Sequence, residues 1–464
     1  MRRAFRPYVT TGIAILGAGI VVAPSSTPPP NLQRHAVALT SGQDIAFVVG
    51  GSGDPIPSQA FVDVNNTLFI QPNFPGYSPQ ALFTPEGNYA LYTGVKSLTL
   101  DQSEAQGVTI VKDAVEQQVA AGNHVAVLGD SQSSTISSMV MPELTADGVP
   151  NSDVGFVLLA DPNQPNGGLF ERLDGVSIPS LGITFNGATP GDLYPATIYM
   201  QAYDGFSDIP RYPLNFLADL NSILGIQFVH PTYQDLTPEQ LASATQLPTV
   251  GDTMTTYYGI PTENLPLLDL VQFIPGIGKP LADLLQPILT PLINLGYGDP
   301  DFGWSTAPAN VPTEFGLFPS FDMTVKALQE MVAGIPTGIQ AAVRDIAGGL
   351  DPSSALEPGP VIQTAATSLP SLTDIINALT SAFSTAYAAL LPTADVLTGV
   401  AVTIPTYDLQ WFMEGLQSGN LLEAIGQPIA NDTYLYTLAT GFEVFALIST
   451  VETISSELAS MFPS

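Results

Sequence analysis

Residues 124–134, HVAVLGDSQSS, place a serine where a branched apolar run gives way to a helical pattern. Gly129-Asp130-Ser131-Gln132-Ser133 has the G-x-S-x-[G/S] spelling of a nucleophile elbow, in which small residues two before and two after the serine let strand and helix pass closely. Val125 to Leu128 read as a buried strand and Ile136 to Met141 as the helix behind it. The same serine could be an ordinary helix N-cap. A nucleophile, by contrast, needs a base to take its proton and an acid to orient that base.

The chain has three histidines. His35 lies in an N-terminal linker, and His124 begins the elbow strand, which puts it at the opposite end of the sheet from Ser131. His230, in QFVHPTYQDL, is the one that follows the serine, and the chain order Ser, acid, His of α/β-hydrolases selects it as the base. The acid must then lie between the two, at a strand end. Asp161, Asp204 and Asp208 qualify, whereas Asp153 and Asp192 precede their strands and Asp219 is mid-helix. The run TIYMQAYDGFSDIP reads as a strand, a glycine turn and an aspartate before Ile-Pro, so Asp208 is the first choice, Asp204 the second and Asp161 the third. An oxyanion hole needs backbone N–H groups aimed at the developing charge. The amide of Gln132 supplies one, and the loop GGSGDP supplies another near Gly51 or Ser52. Neither a P-loop nor a dinucleotide-binding glycine spelling is present, which argues against nucleotides.

These residues need a scaffold that brings strand ends together. Strands are expected at 44–49, 154–160 and 196–203, and helices at 102–121 and through PLNFLADLNSIL; their alternation with turn residues predicts an α/β domain with a mostly parallel sheet and its site at the carboxyl ends of the strands. Residues 261–296 read as short apolar helical pieces separated by Pro and Gly. They are either a layer covering the sheet or a lid or acyl groove, which Leu265 and Leu268 would then line. Residues 321–464 read as a low-charge helical extension without repeats or a further membrane span.

Composition sets the limits. With 464 residues, 45% hydrophobic and 11% charged, the chain can build a large core. Its 42 acidic against 11 basic residues give a net charge of −31 spread along the chain, which argues against a nucleic-acid partner. Cysteine is absent, which excludes disulfides, thiolate metal sites and a cysteine nucleophile. No metal or cofactor is called for. Arg2, Arg3 and Arg6 precede an uncharged stretch from Tyr8 to Ala23 and then PSSTPPP, the layout of a secretory signal. Val21-Val22-Ala23 resembles a cleavage site, but Pro24 is a poor context for cleavage, so the segment is either removed or retained as an anchor. The expected organisation is therefore a signal or anchor with linker (1–30), an α/β-hydrolase domain (31–320) and a helical extension (321–464).

The chain resembles the PE-PPE domain family of mycobacterial and related actinobacterial serine hydrolases, which are similar to cutinases and lipases. The resemblance is carried by VVGGSGDP, VLGDSQSS, LLADPNQPNGG, YDGFSDIPRYPLN, VHPTYQDL and LGYGDPDFGWSTAPANVP, and it covers about residues 40–320. It implies an α/β-hydrolase fold and a Ser-Asp-His triad acting on acyl esters, mapping onto Ser131, Asp208 (or Asp204) and His230. A signal-like segment stands where a helical Pro-Glu or Pro-Pro-Glu leader often precedes such domains. The expectation is an exported or envelope-associated, metal-independent esterase or lipase with an acyl ester or lipid substrate at the cell envelope or a membrane surface. The alternatives are an acyltransferase that acylates trehalose-type glycolipids with the same triad, and a non-catalytic lipid-binding envelope protein.

Overall fold

The computed structural model describes residues 42, 44–89, 98–348 and 372–459. The signal-like segment, the proline-rich linker and His35 lie outside them.

Among the described residues, the central sheet contains β1 (Ile45–Val48), β2 (Ser78–Ala81), β3 (Val125–Asp130), β4 (Val154–Leu159), β7 (Ala196–Gln201), β8 (Thr245–Gln246) and β9 (Thr255–Ile260); β5 (Ser177–Ile178) and β6 (Ile183–Thr184) form a separate antiparallel pair. The order is β2-β1-β3-β4-β7-β9-β8, with every pairing parallel except β8 on β9. The expected mostly parallel, helix-flanked sheet is therefore present. Alternate residues of each strand feed opposite cores. Ile45, Phe47, Val125 and Val127 join one apolar cluster, while Ala46, Val48, Ala126 and Leu128 join the other. Burial on both faces is why these strands read as continuous apolar runs.

The principal helices are α1 (Gln59–Asn65), α2 (Leu100–Ala120), α3 (Gln132–Ala146), α4 (Phe216–Phe228), α5 (Pro266–Gln272), α6 (Gly278–Asn294), α7 (Phe321–Ala347), α8 (Leu372–Thr398), α9 (Ile404–Gln417) and α10 (Leu421–Ala459). Helix α2 starts at Leu100 rather than Gln102 because Thr99 and Gln102 form a reciprocal capping box. Strands β4 and β7 stop short of the expected ends, since Ala160 (φ 51°) and Tyr203 (φ 68°) turn the chain out of the sheet. The chain winds from β1 to β2 on one side and crosses to β3 on the other. The carboxyl ends of β1 and β3 thus flank the point where the strand order reverses, the usual crevice for a site in such sheets.

Residues 261–296 form a short α5 and a longer α6, parted at Pro275-Gly276 as expected. Pro287 and Pro291 sit inside a continuous α6, against which α7 packs closely: a Cβ on Gly334 or Gly338 would collide with the carbonyls of Pro287 and Leu284. Leu265 (0% exposed) and Leu268 (1%) belong to the main core, so the expectation that they line a groove is corrected. They face inward because α5 packs on α4.

Helices α8 to α10 are not an appendage. Ile404, Ala430, Tyr434, Leu435 and Leu438 share an apolar cluster with Leu169, Phe170, Ile223 and Phe315. The stretches Ile375–Gln417 and Leu421–Ala459 are each long and apolar enough to cross a membrane by length and composition, where the sequence reading expected none. Pro392 and Pro428 lie within these helices, which continue through them.

Candidate active site

Ser131 occupies the turn between β3 and α3 with φ 56° and ψ −113°, a conformation that costs a non-glycine residue roughly 1–3 kcal/mol. Its position is the N-cap of α3, yet its side chain caps nothing. Instead Ser131 Oγ lies 2.8 Å from His230 Nε2. Gly129 is required two residues earlier, because a Cβ there would stand 2.6 Å from the carbonyl oxygen of Ser133. Ser133 fills the last place of the pentapeptide by hydrogen bonding: its Oγ accepts from the amide of Asp130 (2.7 Å) and donates to Val49 O at the exit of β1 (3.1 Å).

His230 opens a short 3-10 turn, His230–Asp235, directly after α4. The turn is latched to the elbow by Gln234, whose amide donates to Asp130 Oδ2 at 3.2 Å. Only 14% of the His230 side chain is exposed. The ring of Phe206 meets it edge to face at 4.6 Å between centroids.

The carboxylate at His230 Nδ1 is Asp204, at 2.9 Å, and not Asp208. Both aspartates are buried on one turn, but they point differently. Asp204 Oδ1 also accepts from the Phe206 amide (3.0 Å), while Oδ2 accepts from Ser207 Oγ and Tyr233 OH (2.9 Å each). Burial raises its pKa, but the His230 charge and these donors outweigh that, leaving it below the usual carboxylate value. Asp208 folds back to accept the amide of the strained Tyr203 at 2.9 Å, and its Oδ1 has no partner. Burial holds its carboxyl well above the usual range. Asp208 is thus a brace for the turn, and the expected ranking of the two is corrected by geometry. Asp161, the third choice, is engaged with Thr189 Oγ1 (2.6 Å) and the Asn163 amide (3.0 Å), away from His230.

Burial pulls the pKa of His230 down, but the charge and hydrogen bond of Asp204 and the charge of Asp130 outweigh it, so the net shift is upward. His124 lies at the far end of β3, paired with Asp44 at 2.9 Å.

The loop after β1 stands against the elbow. A Cβ on Gly51 would be 3.4 Å from Ser131 Cβ and 3.2 Å from Asp130 O. Ser52 Oγ donates to Gln132 Oε1 (2.5 Å) and accepts from Asn88 Nδ2 (3.2 Å), while Gln132 Nε2 donates to Ser103 Oγ (2.9 Å) and Gly87 O (3.3 Å). These bonds pin the Gly51-Ser52 backbone beside the first turn of α3, where the Gln132 amide has no intrahelical acceptor. Residues 51, 52, 131 and 132 are therefore brought together as expected. Sequence reasoning missed Phe206, Ser207, Tyr233, Gln234 and Asp130. Their only signal was proximity to the motifs, since Tyr233 and Gln234 lie within VHPTYQDL.

Fold and site together define a class: a doubly wound α/β protein that presents a serine, backed by a histidine and a buried aspartate, at the reversal point of its sheet. The chain belongs to the PE-PPE domain family, whose domain matches residues 75–298. It is 44% identical over 454 residues to the PPE family protein PPE28 of Mycobacterium tuberculosis, an alignment covering 92% of this chain and 69% of that protein. Esterase PE16 of the same organism is 45% identical over 289 residues, 61% of this chain and 53% of that protein. This chain thus spans about half the length of PE16. The diacyltrehalose acyltransferase Chp2 of Mycobacterium tuberculosis is 25% identical over 318 residues, 63% of this chain and 84% of that protein. Among solved structures, a cutinase-like protein from Cryptococcus sp. matches at 17% identity, covering 36% of this chain and 79% of that chain with a TM-score of 0.26.

Proposed function

We propose that the protein is a serine esterase that cleaves acyl esters of lipid type through an acyl-enzyme, exported to or held at the cell envelope. The observation that carries this reading is the unbroken chain Ser131 Oγ, His230 Nε2, His230 Nδ1, Asp204 Oδ1, with contacts of 2.8 and 2.9 Å, on a strained elbow. His230 takes the Ser131 proton as the oxygen attacks the ester carbonyl. The amides of Gln132 and of Gly51 or Ser52 hold the oxyanion. The tetrahedral intermediate collapses, His230 returns the proton to the leaving alcohol, and a water activated by the same histidine releases the fatty acid. Asp204 keeps the imidazole proton on Nδ1 and stabilises the imidazolium. The likeness to a relative named as an esterase supports the reading.

A second reading is acyl transfer, in which a sugar hydroxyl takes the place of water. The relative named as an acyltransferase at 25% identity favours it, as does the enclosure of His230. A non-catalytic lipid binder would not need the Ser131 to His230 contact.

Labelling by a fluorophosphonate probe tests the mechanism, because it requires an activated serine. The wild-type chain should be labelled and the Ser131→Ala variant should not. Product analysis with a p-nitrophenyl acyl ester, with and without trehalose, separates hydrolysis from transfer. An unlabelled wild-type protein with no ester turnover would overturn the proposal.

A further inference from the structure

The site is bridged by the carboxyl-terminal helices. On the oxyanion side, Tyr89 OH donates to Asp395 Oδ2 of α8 at 3.0 Å, and Ser180 Oγ donates to the Asp395 carbonyl at 2.7 Å. Tyr89 directly follows Gly87 and Asn88, the residues bonded to Gln132 and Ser52. On the histidine side, Phe442 of α10 stacks on Phe206 at 6.5 Å with 28° between the planes, and Phe206 itself touches His230. Between these two anchors Thr393 Oγ1 of α8 donates to Glu443 Oε2 of α10 at 2.9 Å. Gly441 brings α10 onto Ile223 of α4, the helix that ends just before His230. The helices are thus fastened to both sides of Ser131 and tied together at the same level.

The surface next to the histidine is apolar and only partly buried. Phe206 touches His230, and Ile226, Phe442 and Phe445 are partly buried members of the same apolar cluster. No Lys or Arg follows Arg344 in the chain, so helices α8 to α10 bring no cation for an anionic headgroup. An apolar wall that reaches His230 through Phe206 fits a hydrocarbon chain.

We infer that the carboxyl-terminal helices form the acyl-chain receptor of the site, with Phe442 as a specificity-determining residue, and that the ligand is the long aliphatic chain of the ester. This rests on the serine-esterase reading and assigns its substrate-binding wall. From the substrate carbonyl carbon bonded to Ser131 Oγ, the acyl chain runs along Phe206 and lies against Phe442, not against α5.

The experiment uses an alkyl fluorophosphonate with a twelve-carbon chain ending in a photoreactive diazirine. It labels Ser131 of the full chain, and irradiation then cross-links the tail to whatever it touches. Cross-links mapping to peptides containing Phe206 or Phe442 are expected. Cross-links confined to residues 261–296 would overturn the inference while leaving the serine mechanism intact. Absence of Ser131 labelling would overturn both. Kinetics give a second measurement. In Phe442→Ala the loss of kcat/KM should grow from acetyl to dodecanoyl esters, reaching about tenfold. Phe442→Trp, which preserves apolar packing, should move the optimum to shorter chains. Leu447→Gln, on the exposed opposite face of α10, should leave the profile unaltered. Identical chain-length profiles in the wild type and both Phe442 variants would overturn the inference.

Discussion

Asp204 and Asp208 share one tight turn, the amide of Asp208 donating to the carbonyl of Asp204 at 2.7 Å, yet only Asp204 reaches His230. Four donors surround the Asp204 carboxylate, whereas one oxygen of Asp208 has none. Donors make a carboxylate easier to ionise, and burial without them makes it harder.

Substitution at the two positions should therefore diverge. Asp204→Asn should lower kcat by about four orders of magnitude through loss of histidine orientation. Asp208→Asn keeps the oxygen that accepts the Tyr203 amide and replaces a carboxyl that burial already disfavours as an anion. It should change kcat by less than about threefold and leave stability at pH 8 equal or higher. Ester hydrolysis and thermal unfolding of both variants check the ranking, and the opposite order would return the acid role to Asp208.

The pH profile carries the sign of the His230 shift. Catalysis needs the neutral imidazole, so activity is lost as pH falls through the His230 pKa, which lies above its ordinary value of 6.5. The acid limb of kcat/KM should accordingly sit above pH 6.5. Asp130 contributes to the upward shift without touching the ring, and burial raises its own pKa to about 6. Asp130→Asn should move the limb to lower pH with little change in the plateau; a limb that does not move would show that Asp130 does not act on His230.

Tyr233 donates to Asp204 and accepts the Gln201 amide at 2.8 Å. Removing its hydroxyl leaves a buried amide unsatisfied, costing about 1–3 kcal/mol of stability. Tyr233→Phe should also lower kcat by about tenfold, because one of the groups fixing Asp204 is gone. Denaturant unfolding together with kinetics separates the two effects, and an unchanged kcat would limit Tyr233 to a structural role.

Leu265 and Leu268 lie in the main core. Leu265→Ala or Leu268→Ala should destabilise the protein by about 2–5 kcal/mol without changing the acyl-length profile measured well below the melting temperature. A flattened profile in a folded variant would restore the groove reading of α5.

Much of the site was legible in the sequence because its chemistry is spelled locally. The pentapeptide around Ser131 needs Gly129 for close passage of strand and helix, His230 is the one histidine after it, and the alternation of apolar strands with helical patterns dictates a parallel sheet whose strand ends meet. Even the distance of His124 from Ser131 followed from its place at the start of β3. What the sequence by itself could not decide were directions and partners. Asp204 and Asp208 are equivalent as turn residues, and the choice between them fell to His230 and Tyr233, which reach Asp204 from beyond α4. The prolines of α6 read locally as breaks, but the helix continues through them. Phe442 stands beside Phe206 because α10, from a distant part of the chain, docks on α4. Local spelling fixes which groups are available and how each turn is made. Only packing between distant elements fixes which of those groups a histidine meets, and which surface the substrate would meet beside it.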